Sequence, residues 1–286
     1  MSAERIFAVG MGHVLTLGEN GKIIAAGAND VGQCDVRSHG EGLAVAAGPY
    51  HSAVITLNGT LAMSGRNTDG ECDANALNRE LADQGGTFEE SHHSAVTPAP
   101  TPWETVYAWR RVACGYHHTV ALRSDGRVFA VGSNTDGQCD TRKWRGVTHI
   151  ACGVNHTVAV TDSGECLATG HNRYGQCDIS HLKAVTAVAA GEFHTVALRR
   201  DGKVVAVGDN RMGQCRVTDL EHVISIACLP DATVCVLDDG RVVIRGGSGA
   251  YDETVAALRN VIAVHTCEHR ILALTVDRRL IQIPEI

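Results

Sequence analysis

The stretch that decides the fold is Val112–Asp140, V-A-C-G-Y-H-H-T-V-A-L-R-S-D-G-R-V-F-A-V-G-S-N-T-D-G-Q-C-D. Val112-Ala113-Cys114-Gly115 reads as a short strand of small residues, and Tyr116-His117 as a tight turn. His118-Thr119-Val120-Ala121-Leu122 is a second strand. Ser124-Asp125-Gly126 is a hairpin turn in which glycine supplies positive φ. Val128–Gly132 is a third strand, Asn134–Gly137 turns again, and Gln138–Thr141 reads as a short fourth strand. The rest of the chain shows no persuasive helical period.

The same text recurs on both sides. Gly-Gln-Cys-Asp or a close variant starts at Gly32, Gly70, Gly137, Gly175 and Gly213, in steps of 38, 67, 38 and 38. The long step is 38 plus 29, so one unit carries an insertion. Four more ladders keep these steps. They are His13, His51, His118, His156, His194; the turn glycines from Gly21 to Gly240; the strand-end glycines from Gly27 to Gly246; and Asn29, Asn67, Asn134, Asn172, Asn210. In two degenerate units, Ala232 and then Arg270 stand at the histidine position, and Arg278 stands at the turn glycine. Cutting after each Asp leaves seven units: 1–35, 36–73, 74–140, 141–178, 179–216, 217–254 and 255–286. Short antiparallel strands at this period predict an all-β, seven-bladed β-propeller forming a single domain. The small residues place the first strand near the axis. Arg5–Val9 is expected to close the ring by pairing with the C-terminal blade, removing an open edge.

Composition fits. Glycine is high (31 of 286 residues), aromatics are 4% and prolines number only 6, which suits tight turns rather than disorder. The net charge of −7 disfavours a general grip on nucleic acid or an anionic membrane. No apolar run reaches membrane-spanning length and no secretory signal opens the chain. The 11 cysteines form no C-x-x-C pair. The expected setting is therefore cytoplasmic or nuclear, not secreted, with free thiols.

The unit V-x-x-G-x-x-H-[ST]-x-x-L-x-x-D-G-x-V-x-x-x-G-x-N-x-x-G-Q, clearest at Val112–Asp140 and Val188–Cys215, resembles the regulator of chromosome condensation repeat. That resemblance implies a seven-bladed propeller whose loops bind other proteins. The founding type is an exchange factor for the Ran GTPase that binds nucleosomes. Other members are parts of ubiquitin ligases, a plant ultraviolet photoreceptor and secreted β-lactamase inhibitors. This chain departs from several of them. Its three tryptophans, Trp103, Trp109 and Trp144, stand off the G-x-x-H ladder, it starts at the first strand with no basic tail, and no residues remain for a ligase domain.

The histidine and cysteine ladders read as structural. Equivalent side chains in different blades lie on different radii, whereas zinc needs its ligands around one point. No catalytic motif, metal site or cofactor site is expected, and the chain reads as a non-enzymatic protein-interaction scaffold. The alternative is a guanine-nucleotide exchange factor for a small Ran-like GTPase. Strand parity puts Tyr50, Tyr116, His117, Arg173, Tyr174, Phe193, Arg211 and Met212 on one face, the residue types interfaces favour. The insertion, about 74–109, belongs to the other face and adds His92, His93 and Trp103 as candidate contacts.

Overall fold

The computed structural model describes residues 7–82, 107–247, 255, 257–267 and 270–283. They form seven three-stranded antiparallel sheets, each built from consecutive strands. In chain order these are β1 (Phe7–Val9), β2 (His13–Leu17) and β3 (Ile23–Gly27); β4 (Gly42–Ala47), β5 (His51–Thr56) and β6 (Leu61–Gly65); then, after helix α1 (Ala74–Ala82), β7 (Trp109–Cys114), β8 (His118–Arg123) and β9 (Val128–Gly132). The fourth blade is β10 (Val147–Cys152), β11 (His156–Thr161) and β12 (Cys166–Gly170); the fifth is β13 (Val185–Ala190), β14 (His194–Arg199) and β15 (Val204–Gly208). The sixth is β16 (Val223–Cys228), β17 (Ala232–Leu237) and β18 (Val242–Gly246); the seventh is β19 (Val261–Cys267), β20 (Arg270–Thr275) and β21 (Leu280–Ile283). This is the expected seven-bladed architecture, with helix α1 added to it.

The first strands do line the axis. Ala44–Ala47, Arg111–Cys114, His149–Cys152 and their equivalents enclose a central cavity of about 600 Å³. Small residues suit this ring because neighbouring backbones converge there. The middle strands are buried on both faces, as Val120, Ala121 and Leu122 show at 0–2% exposure. Each such Val or Leu contributes about 1.5–3 kcal/mol by leaving water. The core is a set of inter-blade layers: Val196, Leu198 and Val204 of the fifth blade meet Val223, Cys235 and Leu237 of the sixth.

Gln138–Thr141 is a turn rather than a fourth strand. Its place at the outer edge is taken by the linker to the next blade, which buries Val36, Thr141, Ile179, Val217 and Val255 after the first, third, fourth, fifth and sixth blades. After the second blade the cover is α1. Asp73 Oδ1 accepts from Ala76 N at 2.8 Å, capping the helix, and Leu77 is buried. Asn78 then pairs with the edge of β6 as a strand would, accepting from Leu61 N and donating to Leu61 O, both at 2.8 Å.

At the seam between the last and first blades, Phe7–Val9 belongs to the first blade's own sheet, paired with β2. The described residues of the two blades meet there by side-chain packing, Phe7 and Val9 against Leu272; this is the seam that the sequence reading expects the terminal strands to close by pairing. Residues 1–6 and 284–286, on which that expectation also drew, lie outside the described residues.

Candidate functional site: one face of the disc

The G-x-x-H ladder builds the junctions beneath this face. His13, His51, His118, His156 and His194 are fully buried. Each Nε2 lies 2.8–3.2 Å from a hydroxyl of the next blade: Ser52, Thr119, Thr157, Thr195 and Thr233 in turn. Those hydroxyls donate at 2.7–2.8 Å to the carbonyls of Gln33, Glu71, Gln138, Gln176 and Gln214. A hydroxyl that spends its proton on a carbonyl must accept from the ring, so the proton sits on Nε2. Burial holds these imidazoles neutral, down to about 4 for His13 and His194 and about 3 for His51, His118 and His156. The ladder's glycine has a steric cause: a Cβ on Gly115 would lie 2.2 Å from His118 Cε1.

The cysteine ladder is equally structural. The thiols of Cys34, Cys72, Cys139, Cys177 and Cys215 donate to carbonyls six residues back at 3.1–3.4 Å. Their backbone N–H groups donate to the ladder asparagines at 2.7–2.9 Å. Burial pushes the thiols up, to about 12 for Cys72 and Cys139 and about 11 for Cys177 and Cys215, so they stay protonated.

On this frame the aromatic residues gather into two clusters beside the channel mouth. In the first, between the second and third blades, Tyr50 and Tyr116 meet edge-to-face at 5.7 Å. The Arg66 guanidinium stands 4.8 and 5.6 Å from their ring centres. Arg66 Nε donates to the buried carboxylate of Glu71 at 3.0 Å, and its Nη2 to Tyr116 O at 3.1 Å. His117 Nδ1 lies 2.7 Å from Arg66 Nη2 and 2.9 Å from Asp69 Oδ2. A proton on Nδ1 selects between them, because the ring nitrogen accepts from Arg66 only without it. Asp69, Glu71 and His117 bring one ligand atom each within 4.8 Å of one another, but Arg66 already supplies the positive charge there.

The second cluster joins the fourth and fifth blades. Tyr174 packs on Phe193 at 5.2 Å, and His171 lies 5.9 Å from Phe193. Arg211 stands 5.2 Å over Tyr174 while Nε and Nη2 grip Asp209 at 2.9 and 3.0 Å. That hydrogen bond holds the Asp209 carboxyl below its usual range. Met212 is exposed, as is Arg173.

Of the eight residues expected on this face, Tyr50, Tyr116 and His117 stand in the first cluster and Tyr174, Phe193 and Arg211 in the second, while Arg173 and Met212 are exposed in the loops that carry Tyr174 and Arg211. His92, His93 and Trp103 lie outside the described residues. Sequence reasoning missed Arg66, Asp69, Glu71, His171 and Asp209. A signal existed for one of them: Glu71 is the carboxylate where the other copies of the motif carry Gln33, Gln138, Gln176 and Gln214. In each unit that side chain accepts from the backbone two residues earlier, at 2.8 Å for Glu71 and 2.9–3.1 Å for the glutamines. The exchange leaves the turn intact and adds a charge that recruits Arg66.

Fold and loop chemistry define a repeat propeller. The regulator of chromosome condensation repeat model matches residues 43–71, 105–138, 147–176 and 185–214. Four stretches of the chain are thus repeats of that family. Its fold is that of Prp20p from Saccharomyces cerevisiae, at 20% identity and a TM-score of 0.66 over 92% of this chain and 80% of that one. The CRINKLY ectodomain of the Arabidopsis thaliana receptor kinase ACR4 aligns at 11% identity and 0.68 over 98% and 96%. Human WBSCR16 aligns at 18% and 0.57 over 99% and 77%. No curated protein sequence matches. Among the described residues no helix is long and apolar enough to cross a membrane.

Proposed function

We propose that the chain is a non-enzymatic interaction module that binds another protein through the face carrying the two aromatic–arginine clusters. The observation that carries this reading is the pre-ordering of those clusters. Tyr50, Tyr116, Tyr174 and Phe193 are held by neighbouring rings and by arginines tied to carboxylates, so little side-chain freedom is lost on docking. Rigid aromatic and arginine groups are the usual anchors of protein interfaces. A reducing setting, cytoplasm or nucleus, fits the ten cysteines whose side chains are described, all of them free thiols.

The test is capture of partners on immobilised chain, compared with Tyr116→Ala/Tyr174→Ala and with Asp162→Ala on the opposite face. Loss of a partner with the aromatic pair alone supports the reading. Equal capture by all three overturns it.

The second reading is exchange of guanine nucleotide on a small Ran-like GTPase. It is favoured by the likeness to Prp20p, whose structure was described with its binding to Gsp1p and histones. Exchange needs no reacting side chain, only a surface that holds the nucleotide-free GTPase. Release of a fluorescent nucleotide from a panel of small GTPases decides it; no acceleration by the chain removes this reading.

A further inference from the structure

The first strands break the repeat where they border the axis. One row of equivalent residues is alanine in the first six blades, from Ala8, paired with Leu15, to Ala227, paired with Val234. In the seventh blade that residue is His265, paired with Leu272 and set edge-to-face on Phe7 at 6.0 Å. Two residues earlier in the strand, the row reads Ala44, Arg111, His149, Ala187, Ser225 and Ala263 from the second blade to the seventh. Converging backbones call for small side chains here, and most blades comply. Arg111, His149 and His265 do not, and all three line the central cavity. The repeat does not require them, because alanine serves at the equivalent places of other blades.

We propose that the axial cavity is a binding site for a small amphipathic anion, an apolar body carrying one carboxylate or other singly charged oxyanion. The cavity, about 600 Å³, falls within the ~300–1,000 Å³ of small-ligand pockets, which are mostly apolar with a few placed polar groups. The alanine row supplies the apolar wall, together with Val45, Ile150, Val188, Ile226 and Val264. Charge fixes which way the ligand lies. β7 runs from Trp109 toward Tyr116 and His117 on the aromatic face, so Arg111 lies toward the opposite end. His149 holds the same place on the neighbouring strand β10. Glu192 stands at the aromatic-face mouth, in the turn between β13 and β14. An anion is drawn to the Arg111 end and repelled from the Glu192 end, the more strongly for the low-dielectric walls between them. The Arg111 guanidinium has five N–H donors in a planar fork, enough to hold an anion alongside any partner it keeps in the fold. His149 and His265 add ring nitrogens that donate or accept. The inference does not rest on the function proposed for the aromatic face.

The probe is anilinonaphthalene sulfonate, an apolar anion that fluoresces once out of water, with phenylnaphthylamine as its uncharged analogue. Titrated into the full chain, each is expected to saturate at one per chain. Arg111→Gln weakens the sulfonate about tenfold or more, the loss that goes with a charged hydrogen-bond partner. It moves the uncharged dye less than about twofold, a split that a loss of folding would not produce, and Arg111→Lys recovers part of the sulfonate's affinity. Ala151→Phe fills the cavity from its wall and abolishes both dyes while circular dichroism stays that of the parent; Ala189→Phe repeats the block from another blade should the first variant lose its fold. Decanoate displaces the sulfonate, and less readily from Arg111→Gln. No saturable binding of the sulfonate at millimolar concentration overturns the proposal. So does an equal loss of both dyes with Arg111→Gln, or binding that a folded, blocked variant leaves untouched. Binding that Tyr174→Ala removes would place the dye on the aromatic face and also sink it.

Discussion

Two kinds of junction hold the ring. From the first blade to the sixth, each of five junctions carries a buried histidine that donates to a hydroxyl of the next blade. At the last two junctions every part of that device is gone. Ala232 stands for the histidine, Ile271 for the hydroxyl that would receive it, and Leu229 for the glycine. All three are buried, at 0–1% exposure. At the seam the pair is Arg270 and Val14. The difference teaches that the ladder is a unit of three positions. An imidazole needs both a partner for Nε2 and a residue without Cβ beneath it; when one goes, the others have no reason to stay. For Nε2 and the hydroxyl facing it the two solutions are alternatives, pairing in the first kind of junction and replacement by apolar volume in the second.

The largest way to strain this comparison is acid. The five rings stay neutral when folded, with values lowered from 6.5 to about 3 or 4. Unfolding below pH 6.5 therefore takes up a proton at each. Their contribution is complete above pH 6.5 and is lost as pH falls toward 4. Each histidine gives a slope of about 1.4 kcal/mol per pH unit. The chain is expected to lose stability steeply below pH 6 and to unfold before pH 4. Urea midpoints measured from pH 7.5 to 4.5 check this, and a flat profile would remove the buried neutral imidazoles from the account.

The second test converts one junction into the other kind. His118→Ala strands the Thr157 hydroxyl's acceptor role and leaves a cavity, costing about 2–4 kcal/mol. Gly115→Leu alone collides with the ring and costs at least about 2 kcal/mol. Combined with Thr157→Ile, the set copies Leu229, Ala232 and Ile271, and most of the loss should return. Chemical denaturation of the single, double and triple variants reads the coupling. Strict additivity would break the three-position unit.

The smallest effect belongs to the turn ladder. Gly126 and its equivalents take φ near +80°, and in the seventh blade Arg278 is forced to +64°. A side chain there costs about 1 kcal/mol, so Arg278→Gly is expected to raise stability by about that much, with a few degrees in Tm. Calorimetry checks it; a lower Tm would mean that the arginine has stabilising contacts outweighing its backbone strain.

Much of the fold was legible because the chain states one unit repeatedly. Blade number, the axial first strand and the common face of Tyr50, Tyr116, Tyr174 and Phe193 follow from ladder spacing and strand parity. What escaped was whatever breaks the repeat. Helix α1 hid because its cap, Asp73, doubles as the motif's last residue, and only Leu77 and Leu81 mark its apolar side. The expected fourth strand failed because the linkers satisfy the blade edge with single side chains such as Thr141, whose Oγ1 donates to Val128 O at 3.2 Å. Arg66 escaped because its role depends on Glu71 and on rings brought in from the next blade. Only the folded ring brings those groups together.

The thiol ladder has a use that its chemistry conceals. Cys34, Cys72, Cys139, Cys177 and Cys215 occupy the same place in the first five blades, each shielded and protonated while its turn is closed. Each becomes an ordinary thiol when its turn opens. A brief pulse of alkylating reagent followed by peptide mass analysis would therefore record, blade by blade, the order in which the ring comes apart.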